Sequence, residues 1–296
     1  MERKKIRPES VVSLCFLLLI ASVCIIPFIM VVSASFSNEE QLLQQGYGIV
    51  PRGLSLDAYK YVFANPDQLK HSYIVTILST MIGTVGGLFL TSLTAYPLSR
   101  KDYAWRKKLS FYFYFTCLFS GGAVASYILI SQYLKLNNTF AVLVIPSMMS
   151  VWNMFILRTY FSDIGSEVIE SARVDGAGEY RIFFSIVLPM SQVGLATVGF
   201  LIMLTYWNSW YPCLMYMTNG KYTTLQFFLA QTMSNIDAVL KLGESGVVAF
   251  SADTSVLPKE TVRMAMCVLA VGPMAFMFLF FQRFFAKGIN IGSVKG

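Results

Sequence analysis

The sequence predicts an all-α polytopic membrane protein with six transmembrane helices. Three observations carry that prediction: 55% of the 296 residues belong to the apolar set AVILMFWYC, only 13% are charged, and the mean hydropathy is +0.59. A soluble domain carries about 25% charged residues, so this balance excludes an ordinary cytosolic enzyme, a disordered chain and a disulfide-framed secreted scaffold. Length alone suggests roughly two globular domains. The apolar excess points instead to one membrane domain over residues 11–296, behind a short basic amino terminus at 1–10.

A bilayer crossing needs about 20 apolar residues, and six stretches qualify. They run from about Val11 to Ser33, Ser72 to Ser99, Leu109 to Ile130, Thr139 to Leu157, Gln192 to Pro212 and Met264 to Phe285. The first follows MERKKIRPE, and Val32-Ser33-Ala34 mimics a signal-peptide cleavage site. A signal's apolar region has about 7–15 residues and this run is longer, so it reads as a retained helix. Gly83 and Gly87, four apart, let helices approach closely. Pro27, Pro97, Gly121, Gly122, Pro146, Gly272 and Pro273 also fall inside spans, where packing and helix breaks that line a pathway are both open readings.

Basic residues set the orientation. Arg3, Lys4, Lys5 and Arg7, then Arg100, Lys101, Arg106, Lys107 and Lys108, then Arg158, Arg173 and Arg181, and finally Arg283, Lys287 and Lys295 lie in segments on one side. Together they are most of the 23 Lys+Arg. Cytoplasmic segments collect such residues, so both termini are expected inside. The net charge of +7 therefore records topology, and no nucleic-acid partner is expected. Two long segments, 34–71 and 213–262, fall outside. In the second, Leu225, Phe228, Leu229, Ile236, Val239 and Leu240 recur at helical spacing, as in an amphipathic surface helix. Cys15, Cys24, Cys117, Cys213 and Cys267 form no CxxC pair and read as small buried hydrophobes. With His71 the only histidine, no metal site is expected.

The cytoplasmic loop 158–191 runs against the local charge trend, holding Asp163, Glu167, Glu170, Asp175 and Glu179. Its pattern SEVIESARVDGAGEYRIFFSIVLP predicts two short helices. Ser166 is the expected N-cap, and Ile169, Ala172 and Val174 form a small apolar stripe. Gly176 and Gly178 supply the turn. Tyr180, Phe183, Phe184 and Val187 lead to Leu188-Pro189, where proline should stop the second helix. An acidic helical hairpin of this kind suits a groove on a cytoplasmic partner.

Glu170-Ser171-Ala172, three residues, Gly176, nine residues, then Ile186-Val187-Leu188-Pro189 resembles the EAA motif of ABC importer permeases, EAA-x3-G-x9-I-x-LP. Only Ser171 departs, and it stays small. The six-span layout suits the carbohydrate branch, and the ending FFAKGINIGSVKG resembles the permeases of complex-polysaccharide and lipoprotein-associated importers within it. The resemblance implies the type I ABC importer permease fold in a bacterial inner or plasma membrane. It also implies an assembly with a second homologous permease, two ATP-binding subunits, an extracytoplasmic solute-binding protein and a carbohydrate substrate. It makes Glu170, Ser171, Ala172, Asp175, Gly176, Ile186, Leu188 and Pro189 the ATPase-coupling residues, with Glu170 pairing to a base on the ATPase. ATP and Mg would be held by that partner, with no cofactor and no catalytic residue in this chain. Consistently, no GxxxxGK followed by Ser or Thr occurs; at Gly220-Lys221 the next residue is Tyr222.

The outer half of span five reads TYWNSWY. Tyr206 and Trp210 are four apart, as are Trp207 and Tyr211, and Asn208 adds an amide. Tyr206, Trp207, Asn208 and Trp210 are candidates for a sugar path, because aromatic faces pack on sugar C–H surfaces. An interfacial aromatic belt explains the same residues. Other classes fit less well. Gly243-Glu244-Ser245-Gly246 spells the GxSG of rhomboid proteases, but His71 precedes it and no histidine follows. The six spans contain no Asp or Glu, which argues against ion-coupled transport. A permease for a non-sugar solute, or a self-contained channel or carrier, are the alternatives.

Overall fold

The computed structural model describes residues 8–244 and 258–292, with side chains at 13–242 and 258–284. The basic cluster Arg3 to Arg7, Ser245 of the GxSG match and the last residues, including Lys295, lie outside the described residues. All secondary structure among the described residues is helical, apart from one isolated antiparallel bridge between Ser37 and Leu54. The helices are α1 Pro8–Ser35, α2 Glu39–Gln45, α3 Asp57–Val62, α4 Pro66–Ser99, α5 Arg106–Leu118, α6 Gly122–Ile128, α7 Ala141–Val144, α8 Val151–Ser162, α9 Ser166–Val174, α10 Glu179–Ile182, α11 Leu188–Met190, α12 Gln192–Trp207, α13 Tyr211–Tyr216, α14 Leu225–Glu244 and α15 Lys259–Gly292. Ser13–Ser35, Pro66–Ser99 and Lys259–Phe284 are each long and apolar enough to cross a membrane. Three bent pairs bring the number to six if each pair is one span.

The bends have local causes. The third apolar run turns by 109° between Leu118 and Gly122, where Gly122 adopts φ +80°, a left-handed conformation that suits glycine. The fourth bends by 53° between Ser147 and Val151, just after a 3-10 turn, Ile145–Ser147, that contains Pro146. The fifth is preceded by an 83° bend at Ser191. Pro189 does not end the second loop helix. A π-helical turn, Phe183–Val187, precedes α11, which continues through Pro189 to Met190. A wide turn is one way a helix accommodates a residue with no N–H to give.

The chain divides into two compact units, residues 1–68 with 229–272, and residues 69–228 with 273–296. In the first, Asn38 caps α2 by accepting from the Glu40 and Gln41 amides. The buried Glu39 carboxylate then caps a helix remote in sequence. It accepts from the Glu260 and Thr261 amides, each at 2.8 Å, and from Thr261 Oγ1 at 2.7 Å. Those amides open α15, where a helix offers unsatisfied N–H groups and a positive dipole end.

In the second unit the core joins α4, α8, α9, α10 and α12 through Leu98, Met154, Leu157, Ile169, Ile182 and Val198. Gly83 faces the Tyr206 ring and Gly194 faces Tyr160, so both glycines bring helices together. Of the five cysteines only Cys213 is buried; Cys15, Cys24, Cys117 and Cys267 are exposed, correcting the expectation of buried thiols. An apolar residue on a membrane helix need not be covered by protein, because lipid tails are as apolar as a core.

Candidate coupling site

The helical hairpin Ser166–Met190 is built on a narrow apolar stripe. Ile169 and Ala172, three apart, share a face of α9 and sink into the core with Ile182, Phe183 and Val187. Val174 is two positions on from Ala172, off that face, and is 87% exposed, so it does not extend the stripe. Gly165 holds the cap position of α9 without a side-chain bond, and Ser166 is the first helical residue, not its cap. At the other end Gly176 N–H reaches Arg173 O at 3.0 Å and Ala177 N–H reaches Ala172 O at 2.9 Å. With Gly176 at φ +80° these two bonds close a Schellman turn.

That turn sorts the motif residues. Glu170, Ser171, Asp175, Gly176 and Pro189 are exposed, Ala172 faces inward, and Ile186 and Leu188 are half-buried. Among the described residues Glu170 makes no ion pair and no side-chain hydrogen bond. Arg173 and Glu179, which the motif leaves unassigned, are the connected charges. Glu179 accepts from Tyr96 Oη at 2.7 Å and from Arg173 Nε at 3.0 Å. Arg173 Nη1 reaches Asp102 Oδ2 at 2.8 Å, and Arg100 grips Asp102 through Nε at 3.2 Å and Nη2 at 3.1 Å. Arg100 and then Arg173 hold the Asp102 carboxyl at about 2, below the usual carboxylate range. Glu179 and then Asp102 push the Arg173 guanidinium further up. These residues line a cavity of about 520 Å³ together with Tyr180 and Phe183. An Asp lone among five bases, facing an Arg in an acidic loop, is the one sequence feature that hints at this pairing.

At the far end of α12 the aromatic run divides. Tyr206 is 1% exposed, and its hydroxyl donates to Val144 O at 2.7 Å. Trp207 is also buried, and α12 ends there, so Tyr206 and Trp210 do not share a helix face. Tyr206 is thus a packing residue, already committed within the core. Asn208 and Trp210 remain exposed, with Asn208 Nδ2 donating to Leu204 O at 2.9 Å.

A family model described as binding-protein-dependent transport system inner membrane component matches residues 72–291. The polygalacturonan/rhamnogalacturonan transport system permease protein YtcP of Bacillus subtilis (strain 168) is 36% identical over 281 residues, 95% of this chain and 96% of its own. Protein LplC of the same organism is 33% identical over 290 residues, covering 98% and 96%. Among solved structures, a chain of a bacterial ABC transporter involved in the import of the acidic polysaccharide alginate matches with a TM-score of 0.76. It is 24% identical and covers 96% of this chain and 99% of that one, a likeness of fold. The protein therefore belongs to the family of binding-protein-dependent transport system inner membrane components, the permease subunits of ATP-driven importers. It is a multi-pass protein of the bacterial cell membrane.

Proposed function

We propose that this chain forms half of the translocation pathway for an oligosaccharide and receives its driving force through the Ser166–Met190 hairpin. The observation that carries the reading is the exposed, unpaired Glu170 on a short helix whose opposite face is anchored in the core. A carboxylate without an in-chain partner, beside the small Ser171 and the bare turn at Gly176, suits close docking in a cleft that supplies a base. The partners are a second, similar permease, two ATP-binding subunits that hold ATP and Mg, and an extracytoplasmic solute-binding protein. The chain itself catalyses no reaction and needs no cofactor. Closure of the ATP-bound subunits favours one of two arrangements of the spans, so binding and hydrolysis shift a population between inward-open and outward-open states.

The carbohydrate assignment draws on the relatives. One is named for polygalacturonan and rhamnogalacturonan, and the fold neighbour comes from an alginate importer. Oligomers of galacturonate and rhamnogalacturonan are accordingly the first substrates to test. Of the four candidate path residues, Asn208 and Trp210 are the ones left to touch them. The experiment is a mild-detergent pull-down of the tagged chain with mass spectrometry, paired with uptake by Glu170→Lys. A second six-span permease and an ATPase should co-purify with wild type, and Glu170→Lys should lose uptake while remaining in the membrane. A chain that purifies alone, with wild-type uptake by Glu170→Lys, would overturn the reading in favour of a self-contained channel or carrier.

A further inference from the structure

The hairpin has two kinds of attachment to the rest of its unit, and they resist force differently. Ile169 and Ala172 hold α9 by apolar contact, which is non-directional and lets a helix slide or rock. Arg173 and Glu179 hold it by charge-assisted bonds of fixed geometry. Glu179 ties α10 to Tyr96 in the last turns of α4, and Arg173 ties α9 to Asp102 just beyond α4. Arg173 also donates to Glu179, so α9, α10, α4 and the segment after it form one closed ring of bonds. A planar guanidinium engaging two carboxylates fixes both partners in direction as well as distance.

We propose that Arg173 and Glu179 are positioning residues for coupling: a strut that makes the hairpin and the cytoplasmic end of α4 move as one body. The proposal rests on the hairpin's assignment as the ATPase-docking element. A push at Glu170 is delivered through the strut to α4, which carries Gly83 and Gly87 against Tyr206 and Met148. The strut adds little to stability, because its ionic side chains are 41–52% exposed and such pairs contribute little in water. Its removal therefore separates force transmission from folding, as loss of a core contact would not.

The test uses the whole importer in proteoliposomes and reads solute moved per ATP hydrolysed. Arg173→Ala should assemble at wild-type stoichiometry, with a thermal midpoint within about 2 °C of wild type. It should keep hydrolysing ATP but move about fivefold less solute per ATP, or lower still, within the range of coupling effects. In a chain freed of its native cysteines, Asp102→Cys with Arg173→Cys should show the same defect when reduced. A short bis-maleimide bridge between the two should restore the ratio. An unchanged ratio in Arg173→Ala, or a bridged pair that stays defective, overturns the strut. Should Arg173→Ala fail to assemble, Tyr96→Phe removes a single hydroxyl from the ring of bonds, and an unchanged ratio in that variant overturns it as well. Normal transport by Glu170→Lys instead sinks the docking assignment, whereas an inactive Glu170→Lys beside a fully coupled Arg173→Ala sinks the strut alone.

Discussion

Gly83→Ala adds one methyl group where α4 meets α12. A Cβ built at Gly83 lies 2.3 Å from Tyr206 Cζ, with the two neighbouring ring carbons at 2.4 and 2.6 Å. Carbon atoms rest at about 3.5–4.0 Å, so the ring must retreat by more than about 1 Å. Tyr206 has nowhere cheap to go: it is 1% exposed, and its hydroxyl is bonded to Val144 O at 2.7 Å. Overpacking costs about 1–3 kcal/mol, and breaking a hydrogen bond within the membrane adds about 0.6–2 kcal/mol. The expected loss is about 2–4 kcal/mol, which at about 2–4 °C per kcal/mol lowers the thermal midpoint in detergent by roughly 4–16 °C. Tyr206→Phe should cost only the hydrogen-bond part. In Gly83→Ala with Tyr206→Leu, the flexible side chain should absorb the methyl, giving a coupling energy of about 0.5–3 kcal/mol. A Gly83→Ala protein melting within about 1 °C of wild type, with no coupling in the double variant, would refute the close-approach argument.

Three further outcomes are expected. Glu39→Gln keeps one acceptor but leaves an α15 amide or the Thr261 hydroxyl without its carboxylate oxygen, so it should destabilise by about 1–3 kcal/mol, read as a lower melting midpoint; an unchanged midpoint contradicts the capping role. At Gly176 a Cβ meets nothing within 4 Å, so the constraint is its φ of +80°, which costs other residues about 1–2 kcal/mol. Co-purification with the ATPase should then fall in the order Gly, Asn, Ala, Val, and equal failure of all three variants would point to crowding by the partner instead. Asp102 has a folded-state carboxyl held below its unfolded value, so its contribution is complete above about pH 4 and lost as pH falls toward about 2. The gap in midpoint between wild type and Asp102→Asn should be flat from about pH 5 to 8 and narrow below about pH 4; a gap that changes across the neutral range would refute this.

The three unbroken spans were legible because a long uninterrupted apolar run leaves a helix as the sole solution for its backbone in lipid. The bends were not. Hydropathy sums along the chain and carries no direction, so Leu109 to Ile130 reads as one crossing although Phe119–Gly121 turns it by 109°. Gly121, Gly122 and Pro146 marked where breaks were permitted, without saying whether each would kink a helix or pack against one. The aromatic run posed a related ambiguity. Whether Tyr206 lines a path or fills a core depends on what stands opposite, and that is Gly83 on a different helix. Nothing within TYWNSWY contains this fact.

The charges of the loop show the same limit from the other side. Spacing rules find partners three or four apart on one helix. Arg173 and Glu179 are six apart across the Gly176 turn, and Asp102 is 71 positions away. Once those pairs are drawn, the loop's charges separate by task. Arg173 and Glu179 are satisfied within the chain, while Glu167, Glu170 and Asp175 stay exposed without an ion pair among the described residues. Isolated helices shorter than about 12 residues are marginal in water, so the nine-residue α9 owes its persistence to Ile169, Ala172 and the Schellman turn. Of its outward carboxylates only Glu167, in the first turn, adds to that persistence; Glu170, in mid-helix, does not. A fold indifferent to Glu170 but dependent on Ile169 makes a sharp distinction: Ile169→Ala should weaken the hairpin itself, whereas Glu170→Lys should leave it intact and remove only what docks on it.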